Sequence, residues 1–139
     1  MASTASQIGL WLGGDAIPGE AALLERVERQ LDPPAIQKLL DLGFTREEVY
    51  SIVIPARTLQ HRRSRRERLS LEESDRLVRT LRVLSLAETL YESRERALAW
   101  LRRPNPRLEN RVPLSLLRTD TGARMVEELL GGIGEGYFL

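Results

Sequence analysis

The sequence predicts an all-α protein, with an N-terminal helix-turn-helix bundle joined by a long helix to a small helical C-terminal domain. Three observations carry that expectation. Apolar residues recur at helical spacing in successive segments, and proline or glycine separates the segments. Two capping boxes, Thr45-x-x-Glu48 and Ser70-x-x-Glu73, each satisfy two N–H groups that a helix start leaves without intrahelical partners. Pro55 follows a helical stretch so closely that two short helices must meet with almost no linker.

Residues 1–19 contain Gly13, Gly14 and Pro18 and show no sustained period. They read as a loosely held lead-in, with Ile8, Leu10, Trp11 and Leu12 available to dock on a neighbour. Over 20–31, Leu23, Leu24, Val27 and Leu31 define a helix that Pro33 and Pro34 break. A second helix spans 34–42, with Ile36, Leu39 and Leu40 inward and Gly43 as its C-cap. Thr45 opens the third, whose buried side is Val49, Ile52 and Val53. Pro55 cannot continue that helix but can begin the next at its first position. Residues 45–53, a turn at Val53–Ile54 and residues 55–64 therefore outline a helix-turn-helix, and 20–68 form one domain. Leu59 points to the core with Ile54 and Ala56.

The longest helix, 71–90, carries Leu77, Val78, Leu81 and Leu84 along one stripe and Val83, Leu86 and Leu90 along another. Both stripes need cover, from the two ends of this chain or from a second subunit, and a homodimer is the expected cover for what remains. Ser93 caps a helix over 94–102 that turns Ala97, Leu98 and Leu101 inward beside Trp100 and ends at Pro104 and Pro106. Asn105, between those prolines, is confined to an extended or turn geometry. Pro113 reopens a helical turn through Leu114 and Leu117. Thr119 or Asp120 caps the last helix, buried through Ala123, Val126, Leu129, Leu130 and Ile133. Gly131, Gly132, Gly134 and Gly136 are expected to end regular structure before Tyr137, Phe138 and Leu139. Residues 69–139 make the second domain.

Function enters through charge. Residues 55–68 hold six arginines, Arg57, Arg62, Arg63, Arg65, Arg66 and Arg68, against the single acid Glu67. Residues 1–54 hold four basic and eight acidic side chains, and residues 69–139 hold eleven of each. The formal net charge of +1 thus conceals one concentrated cationic stretch. Such a stretch attracts polyanions, nucleic acid phosphate above all; the other reading is a solvated helix face. On a recognition helix, Arg57, Thr58, Gln60, His61 and Arg62 occupy the outer surface near the N-terminal end, where arginine reads guanine and glutamine reads adenine. Arg63, Arg65, Arg66 and Arg68 are better placed for phosphates, which give affinity without sequence information. Any one of these arginines has a second reading, as the ion-pair partner of an acid such as Asp41 or Glu47. Arginine outnumbers lysine twenty to one, Lys38 being the exception. That skew runs through the whole chain, so no function follows from it.

Other chemistries find no residues. Without cysteine there is no disulfide or thiolate metal site, and one histidine, His61, is too few for zinc. No Ser-His-Asp arrangement, paired-carboxylate site or phosphate loop is present, so neither catalysis nor a cofactor is expected. No apolar run approaches the ~20 residues that span a bilayer. The first residues lack the layout of a secretory signal, and cytoplasm is the expected location. The aromatic end has two readings, a tip that reaches into a partner's cleft or a segment folded back on its own core.

Four runs bear on these alternatives: S-L-E-E-S-D-R-L from Ser70, W-L-R-R-P-N-P-R-L from Trp100, V-P-L-S-L-L-R-T-D-T-G-A-R-M-V-E-E-L-L from Val112, and I-G-E-G-Y from Ile133. With Trp100, Leu101, Pro104, Asn105, Leu108, Pro113, Leu114, Leu117, Thr119 and Gly122 as spaced anchors, residues 70–138 resemble the Xre/MbcA/ParS toxin-binding domain. The front half resembles the Xre-like helix-turn-helix of antitoxins from RES–Xre toxin–antitoxin pairs, although E-E-V-Y-S-I-V-I-P-A-R-T-L lacks the usual glycine in the turn. The resemblance covers about residues 20–139. It implies an antitoxin that silences an NAD-depleting RES-domain toxin by covering its active-site region, represses its own operon, dimerises and forms larger assemblies with toxin. It also tilts Tyr137, Phe138 and Leu139, with Glu135, towards toxin contact. The alternative is a stand-alone transcriptional regulator whose C-terminal domain only dimerises. Two departures stand out. Glu109-Asn110 replaces a glycine pair, and Gly134 occupies the place of an acid that here comes one position later, as Glu135.

Overall fold

The computed structural model describes residues 3–136. In chain order these form α1 (Thr4–Trp11), α2 (Glu20–Glu28), α3 (Ala35–Asp41), α4 (Arg46–Ile52), α5 (Ala56–Arg65), α6 (Leu71–Tyr91), α7 (Arg94–Arg102) and α8 (Asp120–Gly134). Two 3-10 helices, Pro106–Leu108 and Pro113–Arg118, lie between α7 and α8. The only extended pairing among the described residues is an isolated bridge between Asn105 and Arg111. The protein is all-α, as its periodicity predicts.

Helix starts follow the local signals. Glu48 N–H donates to Thr45 Oγ1 at 3.1 Å while Thr45 N–H donates to Glu48 Oε1 at 2.8 Å. The Ser70–Glu73 box closes in the same way at 3.1 and 2.7 Å. Ser93 and Thr119 each accept one backbone N–H, so Thr119 and not Asp120 caps α8. Pro55 sits one position earlier than expected: its ψ of 147° makes it the N-cap of α5, and Ala56 is the first helical residue. Ala56 is exposed, and Leu59 and Ile54 supply the buried contact alone.

α6 is the axis of the core. Leu77, Leu81, Val83, Leu84 and Ala87 have no solvent exposure. α1 and α2 pack on it from the N-terminal part of the chain, and α7, α8 and the second 3-10 helix from the C-terminal part. The stripe of Leu77, Val78, Leu81 and Leu84 is therefore covered from within one chain, and of the other stripe Val83 is buried while Leu86 and Leu90 stay half-buried.

Three further expectations are corrected. The lead-in is not loose where it forms α1: Ile8 is fully buried, Ala5 nearly so, and the Arg94 guanidinium lies 5.7 Å from the Trp11 ring centroid. A short helix with one buried turn shows no repeated period, so spacing does not reveal it. Leu24 is 58% exposed and does not share the buried side of α2 with Leu23 and Val27. Gly131, Gly132 and Gly134 do not end the structure but continue α8, and only Gly136 takes a positive φ, 84°. Burial of Val126, Leu129, Leu130 and Gly132 in α8's packing outweighs the ~0.5–1 kcal/mol that each helical glycine costs.

Long-range polar contacts then lock the halves together. Arg102 donates to both Glu48 carboxylate oxygens at 2.8 and 2.9 Å and to the Gly43 carbonyl at 2.8 Å, so α7 grips the start of α4. Arg82 on α6 makes a bidentate pair with Glu20 on α2 at 2.6 and 2.8 Å.

Candidate nucleic-acid interface

The turn between α4 and α5 needs no glycine. Val53 has φ −103° and ψ −57°, and none of residues 53–55 takes a positive φ. Arg76 Nε on α6 donates to the Val53 carbonyl at 2.9 Å and fixes the turn against the long helix. α5 ends because Arg66 is left-handed, with φ 56°, and the N–H groups of Arg66 and Glu67 close back on the Arg63 and Arg62 carbonyls.

Leu59 is the one buried side chain of α5. Around it, Arg57, Gln60, His61, Arg63, Arg65 and Arg66 are exposed, and Thr58 is half-buried. Among the described residues, none of the seven side chains forms an ion pair or hydrogen bond within the chain. That leaves four uncompensated guanidiniums on one short helix and its C-cap, the arrangement that concentrates positive potential for a polyanion.

Two members of the cluster are committed elsewhere. Arg62 Nε and Nη2 donate to Glu73 Oε1 and Oε2 at 3.1 and 3.2 Å, and its Nη1 lies 3.5 Å from Glu67. Its side chain is 26% exposed and that of Glu73 only 7%. Burial pushes the Glu73 carboxyl up, but the Arg62 hydrogen bond and charge and the Ser70 N–H outweigh it and hold the group below the ordinary range. Arg62 thus secures α5 to the start of α6, correcting its placement on the outer reading surface. Arg68 donates to the Gln30 and Arg29 carbonyls at 2.8 and 3.4 Å and faces Asp32 at 3.8 Å. Pairing was foreseeable in kind but not in partner: the acids are Glu73, Glu67 and Asp32, not Asp41 or Glu47. Glu73 carried a local signal only as a capping-box residue, and its second role depends on the α5–α6 packing.

At the other end, Glu135 is exposed at the C-cap of α8. Tyr137, Phe138 and Leu139 lie outside the described residues. The loop after Leu108 keeps a glycine-type backbone without glycine, with φ 57° at Glu109 and 63° at Asn110. Gly122 is required: a Cβ there would fall 2.1 Å from the Leu116 carbonyl oxygen. Among the described residues no helix is long and apolar enough to cross a membrane.

Comparison with known proteins agrees with both halves of this geometry. Residues 22–82 match the antitoxin Xre-like helix-turn-helix domain, and residues 86–136 match the antitoxin Xre/MbcA/ParS C-terminal toxin-binding domain. The two matches meet inside α6, whereas sequence patterning places the division at 68/69. "Antitoxin Xre" of Pseudomonas putida is 36% identical over 102 residues, covering 73% of this chain and 64% of that protein. "Antitoxin Xre" of Yersinia enterocolitica is 40% identical over 86 residues, covering 61% and 58%. A third protein of that name, from Photorhabdus laumondii, is 33% identical over 84 residues, covering 60% and 57%. The chain spans less than two thirds of the length of each of these relatives. With a helix-turn-helix and a C-terminal helical region that each match, meeting within one helix, the chain carries an antitoxin Xre-like helix-turn-helix domain and an antitoxin Xre/MbcA/ParS C-terminal toxin-binding domain.

Proposed function

We propose that this chain is a cytoplasmic antitoxin of a type II toxin–antitoxin system. It neutralises an NAD-depleting RES-domain toxin by covering the toxin's active site, and it represses its own operon by binding operator DNA. The observation that carries the DNA half is the α5 surface, where four arginines stand exposed, and unpaired among the described residues, on the second helix of a helix-turn-helix and its C-cap. Arg57, Thr58, Gln60 and His61, on the first turns of α5, reach base edges. Arg63, Arg65 and Arg66 hold phosphates. Arg62 is left out because Glu73 already occupies its fork.

The toxin half rests on the match of residues 86–136 to a toxin-binding domain and on the names of the relatives. Glu135, Tyr137, Phe138 and Leu139 are the residues assigned to the toxin. Assembly as a homodimer and a larger toxin–antitoxin complex belongs to the same reading. Leu24 and Leu71, both exposed and lining one surface groove, are apolar surface that such contacts would cover.

Mobility shifts of an operator duplex across a salt series test the first half. Arg57→Ala with Gln60→Ala should remove sequence preference. Arg63→Ala with Arg65→Ala should weaken binding to every duplex and lower the salt slope by ~0.9 for each phosphate no longer neutralised. Unchanged binding in both variants sinks the DNA assignment. Deleting residues 137–139 should spare DNA binding yet weaken rescue of toxin-expressing cells. A truncated chain that rescues as well as the full one removes the occlusion mechanism.

A further inference from the structure

A second cationic feature lies away from the exposed face of α5. A cleft of ≈ 370 Å³ opens where α2, α3 and the α5–α6 connection meet the end of α1. Four cations line it, Arg26 from α2, Arg29 from its C-cap, Lys38 from α3 and Arg68 from the connection, against one acid, Asp32. Lys38 is the only lysine in the chain. Arg26, Arg29 and Lys38 make no ion pair or hydrogen bond by side chain among the described residues. Arg26 and Lys38 are half-buried, so water screens them less than the exposed arginines of α5.

Their convergence is built into the backbone. Gly13 ends α1 with φ 86°, and a Cβ there would sit 3.3 Å from Lys38 Nζ. A Cβ on Gly14 would sit 3.9 Å from Arg26 Nη1. Both cations therefore lie against the same glycine turn. Arg68 is held by the Gln30 and Arg29 carbonyls, and its one acid, Asp32, is distant at 3.8 Å and mostly exposed. Folding has gathered four positive charges around a cleft with one acid, Asp32, as counter-charge. The volume is at the lower end of the about 300–1,000 Å³ that small-molecule sites span. Guanidinium forks and an ammonium are the donors that suit clustered phosphate oxygens.

We propose that this cleft is a binding site for an oligophosphate-type anion, with Lys38, Arg26 and Arg29 as its donors and Arg68 as a pre-positioned fourth. The phosphates come either from a free nucleotide or from the backbone of bound nucleic acid. Calorimetric titration of the full chain with inorganic pyrophosphate at low salt tests the site itself. Lys38→Ala and Arg29→Ala should each weaken binding by about tenfold, the effect expected of removing one charge-assisted hydrogen bond. Arg96→Ala, an exposed change on α7 outside the cleft, should leave it unchanged. Thermal unfolding of each variant guards against loss of fold, since neither Lys38 nor Arg29 has a side-chain partner among the described residues to lose.

A parallel salt series with a DNA duplex separates the sources. A lower slope in Lys38→Ala, by ~0.9, assigns the site to backbone phosphate. An unchanged slope with weakened pyrophosphate binding assigns it to a free oligophosphate. Pyrophosphate and duplex binding that both ignore the two cleft substitutions would overturn the proposal. A chain that binds no duplex at all removes the α5 assignment but leaves the pyrophosphate result to decide this one.

Discussion

Arg62→Ala separates a structural arginine from the exposed, unpaired ones around it, which the proposed function assigns to DNA. The Arg62 side chain is 26% exposed and Glu73 only 7%, and two hydrogen bonds of 3.1 and 3.2 Å join them. Removing the guanidinium strands a buried carboxylate whose remaining donor is the Ser70 N–H at 2.7 Å. Breaking a fully buried pair from one side costs about 3–5 kcal/mol. Arg62 is partly wet and water can enter behind it, so about 2–3 kcal/mol is expected, a fall of roughly 10 °C in Tm for a chain of this size. Replacing Glu73 with Gln in the same background removes the stranded charge and keeps an acceptor for the capping box. Arg62→Ala/Glu73→Gln should therefore recover about 1 kcal/mol over Arg62→Ala. Urea unfolding followed by circular dichroism at 222 nm gives the stabilities, and a mobility shift at a temperature where both variants are folded gives the DNA affinity. A protein that keeps its stability but loses DNA affinity on Arg62→Ala would refute this assignment and return Arg62 to the reading surface.

Other perturbations probe the C-terminal domain and the ion pairs. Glu109 has φ 57°, so Glu109→Gly should stabilise by about 0.5–1 kcal/mol; Asn110→Gly should be near neutral, because asparagine tolerates the left-handed region. The same urea titrations check both. Gly122→Ala would drive a Cβ into the Leu116 carbonyl and should cost more than about 3 kcal/mol, seen as loss of the cooperative transition. Three carboxylates are held below the ordinary glutamate range: Glu20 by the hydrogen bonds of Arg82, and Glu48 and Glu73 by Arg102 and Arg62 despite the opposing push of burial. Their stabilisation is complete above the unfolded value and is lost as the pH falls from about 4.3 through the folded values. Glu127, raised by burial, acts in the opposite sense. Acid titration of stability should flatten in Glu48→Gln and Glu73→Gln; an unchanged acid limb would mean that these pairs contribute nothing.

Much of the exposed cationic surface of α5 was legible because it is local. A charge run, a proline after a helix and two capping boxes each act within a few residues, so spacing alone predicts them. The bare arginines of α5 could be named from the sequence for that reason, and so could the helix on which they stand. Which of the cluster would be bare could not. The Arg62 partner lies eleven positions away and the Arg102 partner fifty-four, and only helix packing brings them together.

Local free energies therefore determined the helices, their starts and the concentration of positive charge. Tertiary structure decided whatever depended on α6 being covered. Burying its apolar face drew α1 into the core and carried α8 on through its glycines. Packing also tied Arg62 to Glu73 and gathered the cations of the cleft around Lys38. Side chains far apart in the chain share no spacing rule, and their pairing is set by the apolar surface that folding removes from water.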